Sequence, residues 1–247
     1  MVSEGPGLRE FWPEVLESLR KVAPVYDKLN KVISFNSDVG LRVEGISGRV
    51  GEDEVVLDAG AGNGMFTEIL LKQQPGVHDV VMLDTLAEML SNASQKVSNT
   101  KTHPVIAVFE RMPFRDNMFN SVLMGFSLRD AKDMRAALSE VRRVVGVGGK
   151  LIVVDLGKPD NRLKTSAIGF YWRFIAPLLA FFRIGLAGLS VYSIYKTYKR
   201  LPTNSEMKNL LQSFFKDVDL QERMMGGALI VFSRGVLKAN SGELAGS

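Results

Sequence analysis

Between residues 54 and 156, five short apolar runs alternate with segments of helical periodicity, and no other feature restricts the fold as strongly. "EVVLDA", "DVVMLD" (79–84), "HPVIAVF", "NSVLMGF" (120–126) and "KLIVVDL" read as buried strands, too short for helices and rich in β-branched residues. Between them lie a helix from about Gly64 to Lys72, the segment "TLAEMLSNASQKV", and "AKDMRAALSEVRRVV". In the last, Met134, Ala137, Leu138, Val141 and Val144 share one helical face. Thr85 with Glu88 three residues on has the spacing of a capping box. Strand–helix alternation over short links demands parallel pairing with helices on both faces.

Past residue 204 the pattern changes. A helix from about Asn204 to Phe215 leads to "DVDLQERM" and "GGALIVFSRG", two runs joined by glycines that predict an antiparallel hairpin. The expected fold is therefore α/β: a doubly wound, mostly parallel seven-stranded Rossmann-like sheet with a C-terminal antiparallel hairpin. Residues 1–50 read as a helical cap, 51–160 as a cofactor-binding core, 161–203 as an aromatic helical insertion, 204–235 as completing the core and 236–247 as a polar tail.

The first strand runs into "VVLDAGAGNG", residues 55–64. A P-loop would continue Gly-Lys-Ser/Thr, but Met65 and Phe66 follow Gly64. The dinucleotide fingerprint needs a third glycine at position 65, which is Met, and Asp58 would repel a pyrophosphate at the helix start. A cationic ligand without phosphate reverses the objection. S-adenosylmethionine carries an ammonium and a sulfonium, so Asp58 attracts it while Gly60, Gly62 and Gly64 let the backbone approach. Asp84, closing the second strand, is placed to accept hydrogen bonds from both ribose hydroxyls.

Composition narrows the chemistry further. The chain has no cysteine, which excludes disulfides, thiolate metal sites and thiol nucleophiles. Its two histidines, His78 and His103, stand apart without ligand spacing, so no metal site and no histidine-based triad is expected. Basic residues are scattered and the net charge is only +4, which argues against a nucleic-acid partner. The segment from Phe11 to Phe35 is interrupted by charges and forms no signal peptide, so the expected location is cytoplasmic.

The stretches "YDKLN", "VLDAGAGNG", "MPFRDNMFNSVLMGFSLRD", "VRRVVGVGGKLIVVDLGKP" and "YKTYKRLPTNSEMKNLLQSFF" resemble the C-methyltransferases of ubiquinone and menaquinone biosynthesis, within the class I adenosylmethionine-dependent fold. The resemblance runs from about Tyr26 to Gly235. It implies a methyl transfer from S-adenosylmethionine to a ring carbon of a lipophilic quinol precursor. Ala61, Asn63, Thr85, Phe109, Glu110 and Gly125 then join Asp58, Gly60, Gly62 and Asp84 as cofactor contacts. Where the family has Asn/Asp-Ala before "ExLPF", this chain has Val108 and Phe109, so the adenine would meet apolar stacking. Gly125 and Ser127 also depart from the family's usual Ser and Gly, and Asn63 replaces its loop Thr.

The same resemblance implies that Arg129 assists deprotonation of the substrate and that Asp130 holds it; together they are the expected catalytic residues. Read as ordinary structure, they would be a surface arginine and the N-cap of the next helix. Tyr26 is expected at the methyl-transfer centre, with Phe126, Tyr171 and Tyr192 contacting substrate.

The insertion "IGFYWRFIAPLLAFFRIGLAGLSVYSIYKTYKR" is interrupted by Arg173, Pro177 and Arg183, so neither uninterrupted run is long enough to span a bilayer. Either it forms two amphipathic helices with their aromatic residues in the core, or it is a lid whose Trp172, Tyr195, Lys196, Lys199 and Arg200 meet lipid headgroups as a peripheral membrane contact. Three rival functions stay open: a methyltransferase for another small lipophile or lipid headgroup, one acting on RNA, and a binding protein without turnover.

Overall fold

The computed structural model describes residues 6–98 and 100–237. Seven strands form one sheet in the order β3-β2-β1-β4-β5-β7-β6. They are β1 (Val55–Ala59), β2 (Asp79–Asp84), β3 (Thr102–Ile106), β4 (Phe119–Gly125), β5 (Val145–Leu156), β6 (Phe215–Arg223) and β7 (Ala228–Val236). β1 to β5 run parallel and β6 and β7 form an antiparallel hairpin, as the sequence predicts; within the sheet β7 lies between β5 and β6. Apolar residues of β1 and β4 are buried on both faces because helices cover both. The strand order reverses between β1 and β4, and ligands of open α/β sheets bind beyond the strand ends at such a switch point.

Helices α1 (Trp12–Val22), α2 (Tyr26–Ile33) and α3 (Ser37–Ile46) precede the sheet. α4 (Met65–Gln73), α5 (Ala87–Val97) and α6 (Met134–Val144) connect its parallel strands. Two helix starts differ from expectation. No side chain caps α5; instead Asp84 accepts from the Leu86 N–H, and the Thr85 hydroxyl donates to Ala107 O. At α6 the cap is Asp133, which accepts from the N–H groups of Arg135 and Ala136, so Asp130 does not cap this helix. β3 also ends at Ile106, earlier than the apolar run suggested.

After β5 come α7 (Arg162–Phe170), α8 (Ala176–Ile184), α9 (Tyr192–Arg200) and α10 (Asn204–Gln212). Tyr171–Ile175 form a π-helical turn in which the Ala176 N–H donates to Tyr171 O. Pro177 would clash with the carbonyl four residues back in a regular helix, and the wider turn relieves this. Residues 162–200 form one helical run, and an 18-residue stretch of it reaches a mean hydropathy of 1.9 with only 28% buried. By length and composition alone it passes as a candidate membrane span in spite of the interrupting charges. The run is not one straight rod. At Gly185, with φ 71° and ψ −150°, the chain turns back, and a Cβ on Gly188 would lie 2.4 Å from the Ala180 backbone. α8 and the 3-10 segment Gly185–Val191 thus form a tight helical hairpin. Of the expected tail, residues 238–247 lie outside the described residues.

Candidate active site

The glycine loop turns through left-handed conformations at Gly60, Gly62 and Gly64. Gly60 is required twice over: its φ is +82°, and a Cβ there would stand 2.3 Å from Ser127 Cβ. A Cβ on Gly62 would meet nothing within 4 Å, so this backbone is open to a ligand. Gly60 and Gly62 line a cavity together with Asp84, Thr85, Phe109, Gly125 and Asp130, and Trp12, Leu16 and Leu19 of α1 close it. Asp84 receives the Gly62 and Leu86 N–H groups, one on each oxygen, and an ionised carboxylate has lone pairs left for further donors.

Asp58 is placed differently from expectation. It is 0% exposed and lies beneath the loop rather than in the cavity wall. Its Oδ2 accepts from the Thr67 N–H and hydroxyl, while Oδ1 has no hydrogen-bond partner among the described residues. Burial lifts its pKa to about 6, against the pull of Thr67 and Arg42. Any attraction for a cation therefore acts through the loop. Ala61 packs under it with Met82, Leu90 and Ala93, and Asn63 turns towards Ala23 O at 3.4 Å. Glu110 is drawn away as well, accepting from the Asp133 N–H.

A second cavity of about 490 Å³ adjoins the first. Its wall is mainly apolar, from Leu41, Leu156, Ile168, Trp172 and Ile194 among others, with Tyr171 fixed by donating to Ile33 O at 2.6 Å. Tyr26 and Phe126 line both cavities and mark where they meet. Phe126 holds φ +59°, a conformation that costs energy for a bulky residue and brings the ring to this junction. Tyr192 is not brought in: it is 39% exposed, and its ring lies against Tyr195.

Arg129 is buried, not at the surface. Its Nη1 lies 3.0 Å from Asp155 Oδ1, and its backbone N–H donates to Asp155 Oδ2. Asp130 Oδ1 is 3.6 Å from its Nε. Burial opposes the charge on Arg129, but Asp130 and Asp155 outweigh this and hold the guanidinium more firmly ionised than usual. Burial raises Asp130 to about 6 despite Arg129. The Tyr26 hydroxyl is also pushed up by burial, with Arg129 pulling the other way.

Three residues here escaped the sequence reading. Asp155 lay inside the quoted fifth-strand block, and its place at the end of β5 was the available signal. Asp38 and Arg42 of α3 gave none, because an Asp–Arg pair four apart usually marks a solvated helix face.

The profile of the ubiE/COQ5 methyltransferase family matches residues 11–235. The demethylmenaquinone methyltransferase of Lactiplantibacillus plantarum is 28% identical over 218 residues, covering 85% of this chain and 91% of its own. The ubiquinone/menaquinone biosynthesis C-methyltransferase UbiE of Geobacter sulfurreducens is 28% identical over 236 residues, 90% of this chain and 89% of its own. Among solved structures, the plantazolicin methyltransferase BpumL in complex with SAH superposes with a TM-score of 0.62 at 16% identity, covering 87% of this chain and 90% of that one. At such identity the likeness speaks for the fold.

Proposed function

The chain belongs to the ubiE/COQ5 methyltransferase family, and from that premise we propose that it methylates a ring carbon of a lipophilic quinol precursor, of the demethylmenaquinone kind, in quinone biosynthesis. It is an S-adenosylmethionine-dependent methyltransferase. The observation that carries the substrate reading is the junction at Tyr26 and Phe126, which joins the glycine-loop cavity to a large apolar one holding a buried guanidinium.

The residues present fit the cofactor. Gly62 offers open backbone, Asp84 a carboxylate for the ribose, Phe109 an apolar face for adenine, and Asp58 Oδ1 an unmatched acceptor under the loop. When bound, S-adenosylmethionine supplies a methyl group on a positively charged sulfur that departs as a neutral thioether. The protein's task is to place the ring carbon in line and make it electron-rich. Arg129 stabilises the phenolate whose ortho carbon is the nucleophile, because a fixed cation in a dry cavity is worth far more than one in water. Asp130, with a pKa of about 6, is ionised at neutral pH and accepts the phenolic proton. After transfer the methylated ring carbon gives up its own hydrogen as the net proton released, and the oxygen regains its proton. α1 over the cofactor cavity and the α7 and π-turn residues over the other exclude water.

The same substrate implies a lipid surface, and the insertion supports peripheral membrane contact. Residues 161–200 contain seven Lys or Arg and no Asp or Glu. Phe170, Phe174, Leu178, Phe182, Leu186 and Leu189 are all exposed. Phe35, Met224 and Met225 are exposed too and line the apolar cavity, which gives a prenyl tail a path out.

The test is transfer from S-adenosylmethionine to a short-chain 2-prenyl-1,4-naphthalenediol, followed by mass spectrometry. A product heavier by one CH2, with the new methyl on the ring, is expected. Methylation on oxygen, or none with cofactor binding intact, would overturn the reading.

A further inference from the structure

We propose that Arg42 and Arg129 together form a two-point site in the apolar cavity for a 1,4-dioxygenated ring, each guanidinium taking one ring oxygen. This rests on the quinol reading above and extends it to a residue on a different element.

Arg42 is only 4% exposed, yet it lines the cavity. Its Nη1 meets Asp38 Oδ2 at 3.1 Å and Asp38 O at 3.2 Å. Nη2 reaches only Gly125 O, at the limiting distance of 3.5 Å, and Nε has no partner among the described residues. A guanidinium has five N–H donors, and three contacts, one of them at the limiting distance, leave Nε and one Nη2 hydrogen unmet inside a cavity whose walls are chiefly apolar. Arg129 repeats the arrangement: one carboxylate, Asp155, holds it by Nη1, and its Nε is also without a hydrogen-bond acceptor. Both guanidinium carbons lie against the same ring, 4.7 Å and 5.6 Å from the Phe126 centroid.

The fold does not require this. An apolar side chain at position 42 would pack beside Phe66, and buried ion pairs rarely improve on apolar contacts. One cation would also suffice for one phenolate, whereas a second nearby adds repulsion; Arg129 indeed opposes the charge on Arg42. Two acceptor oxygens on opposite edges of one ring account for both. Only the oxygen ortho to the reacting carbon activates it, and that is the one at Arg129, beside Asp130. Arg42 takes the other oxygen and sets which ring edge faces the methyl donor. It is a positioning residue.

The test compares two substrates on the whole protein: a 2-alkyl-1,4-naphthalenediol and the matching 3-alkyl-1-naphthol, which lacks the second oxygen but keeps the free ortho carbon. The unmodified enzyme is expected to favour the diol in kcat/KM by about tenfold or more, because a site built to bond an oxygen rejects the analogue without it. Arg42→Gln should lower kcat/KM for the diol and leave the naphthol rate within about twofold, while Arg42→Lys restores part of the preference. Calorimetric binding of S-adenosylmethionine serves as the folding control. No diol preference in the unmodified enzyme, or equal losses on both substrates in Arg42→Gln, would overturn the inference. So would weakened cofactor binding in Arg42→Gln, which would assign Arg42 to the methionine carboxylate instead. An unmodified enzyme that binds cofactor but methylates neither ring would overturn the quinol reading itself.

Discussion

Asp155, at the end of β5, holds Arg129 at two points: one carboxylate oxygen takes its backbone N–H and the other its Nη1, each at 3.0 Å. Position and orientation of the guanidinium are thus set by one buried group on a neighbouring strand. Asp155→Asn keeps an acceptor for the backbone but loses the charge. Its expected result is a normal fold, unchanged cofactor affinity and kcat lower by on the order of 10²-fold, measured by steady-state kinetics beside calorimetry. Asp155→Ala leaves the buried cation with only Asp130, 3.6 Å away and not hydrogen-bonded to it, and denaturant unfolding should show a loss of about 3 kcal/mol.

Asp130 has a pKa near 6 because it is buried, with Arg129 only partly offsetting this. It is neutral below that value and ionised above it, and as the base it must be ionised. The free-enzyme profile of kcat/KM should therefore rise with pH through about 6 and flatten above. In Asp130→Asn the rising limb should vanish along with most of the rate. A variant that keeps both would remove Asp130 from the proton transfer.

Asp58 gives a prediction of opposite sign for stability and binding. Its folded pKa of about 6 lies above the ordinary 3.8, so its favourable contribution is complete below the ordinary value and lost as pH rises through about 6. At pH 8 the ligand-free protein carries a buried charge costing about 3 kcal/mol. Asp58→Asn should raise the melting temperature of the ligand-free protein at pH 8 while reducing the further rise that S-adenosylmethionine produces. An unchanged cofactor-induced rise would show that the carboxylate does not act on the cofactor.

The helical run after β5 presents Phe174, from its π-turn, and Phe182, from α8, to solvent. Phe174→Ser with Phe182→Ser should barely change the melting temperature, since exposed side chains add little to the core. Binding to anionic lipid vesicles in a co-sedimentation assay should fall by about tenfold or more, as burying each phenylalanine even partly in lipid contributes on the order of 1 kcal/mol. High salt should weaken binding of the unmodified protein through its basic rim. Equal sedimentation of both proteins would place the contact elsewhere.

The capping box expected at Thr85 shows how local patterns mislead when a residue is drawn elsewhere. Thr85 and Glu88 had the right spacing, but the helix is entered at Leu86, and the Thr85 hydroxyl donates to Ala107 O instead. Likewise Glu110 was expected among the cofactor contacts, yet the Asp133 N–H at the start of α6 captured it. Both contests are decided by the orientation in which a strand end delivers its side chains. The residue list does not contain that orientation.

What the sequence determined by itself was the sheet and the glycine turn that follows its first strand. Each depends on short-range rules: apolar periodicity, glycine's access to positive φ, and the few residues between a strand and its helix. Tertiary structure alone decided that Arg42 of α3 and Arg129 after β4 would meet at one ring, and that Asp155 would steady the second of them. A buried charge leaves no periodic trace along the chain, because its partner is chosen by strand order and helix placement. Here that choice put the acids and cations at the end of the sheet where β1 and β4 diverge.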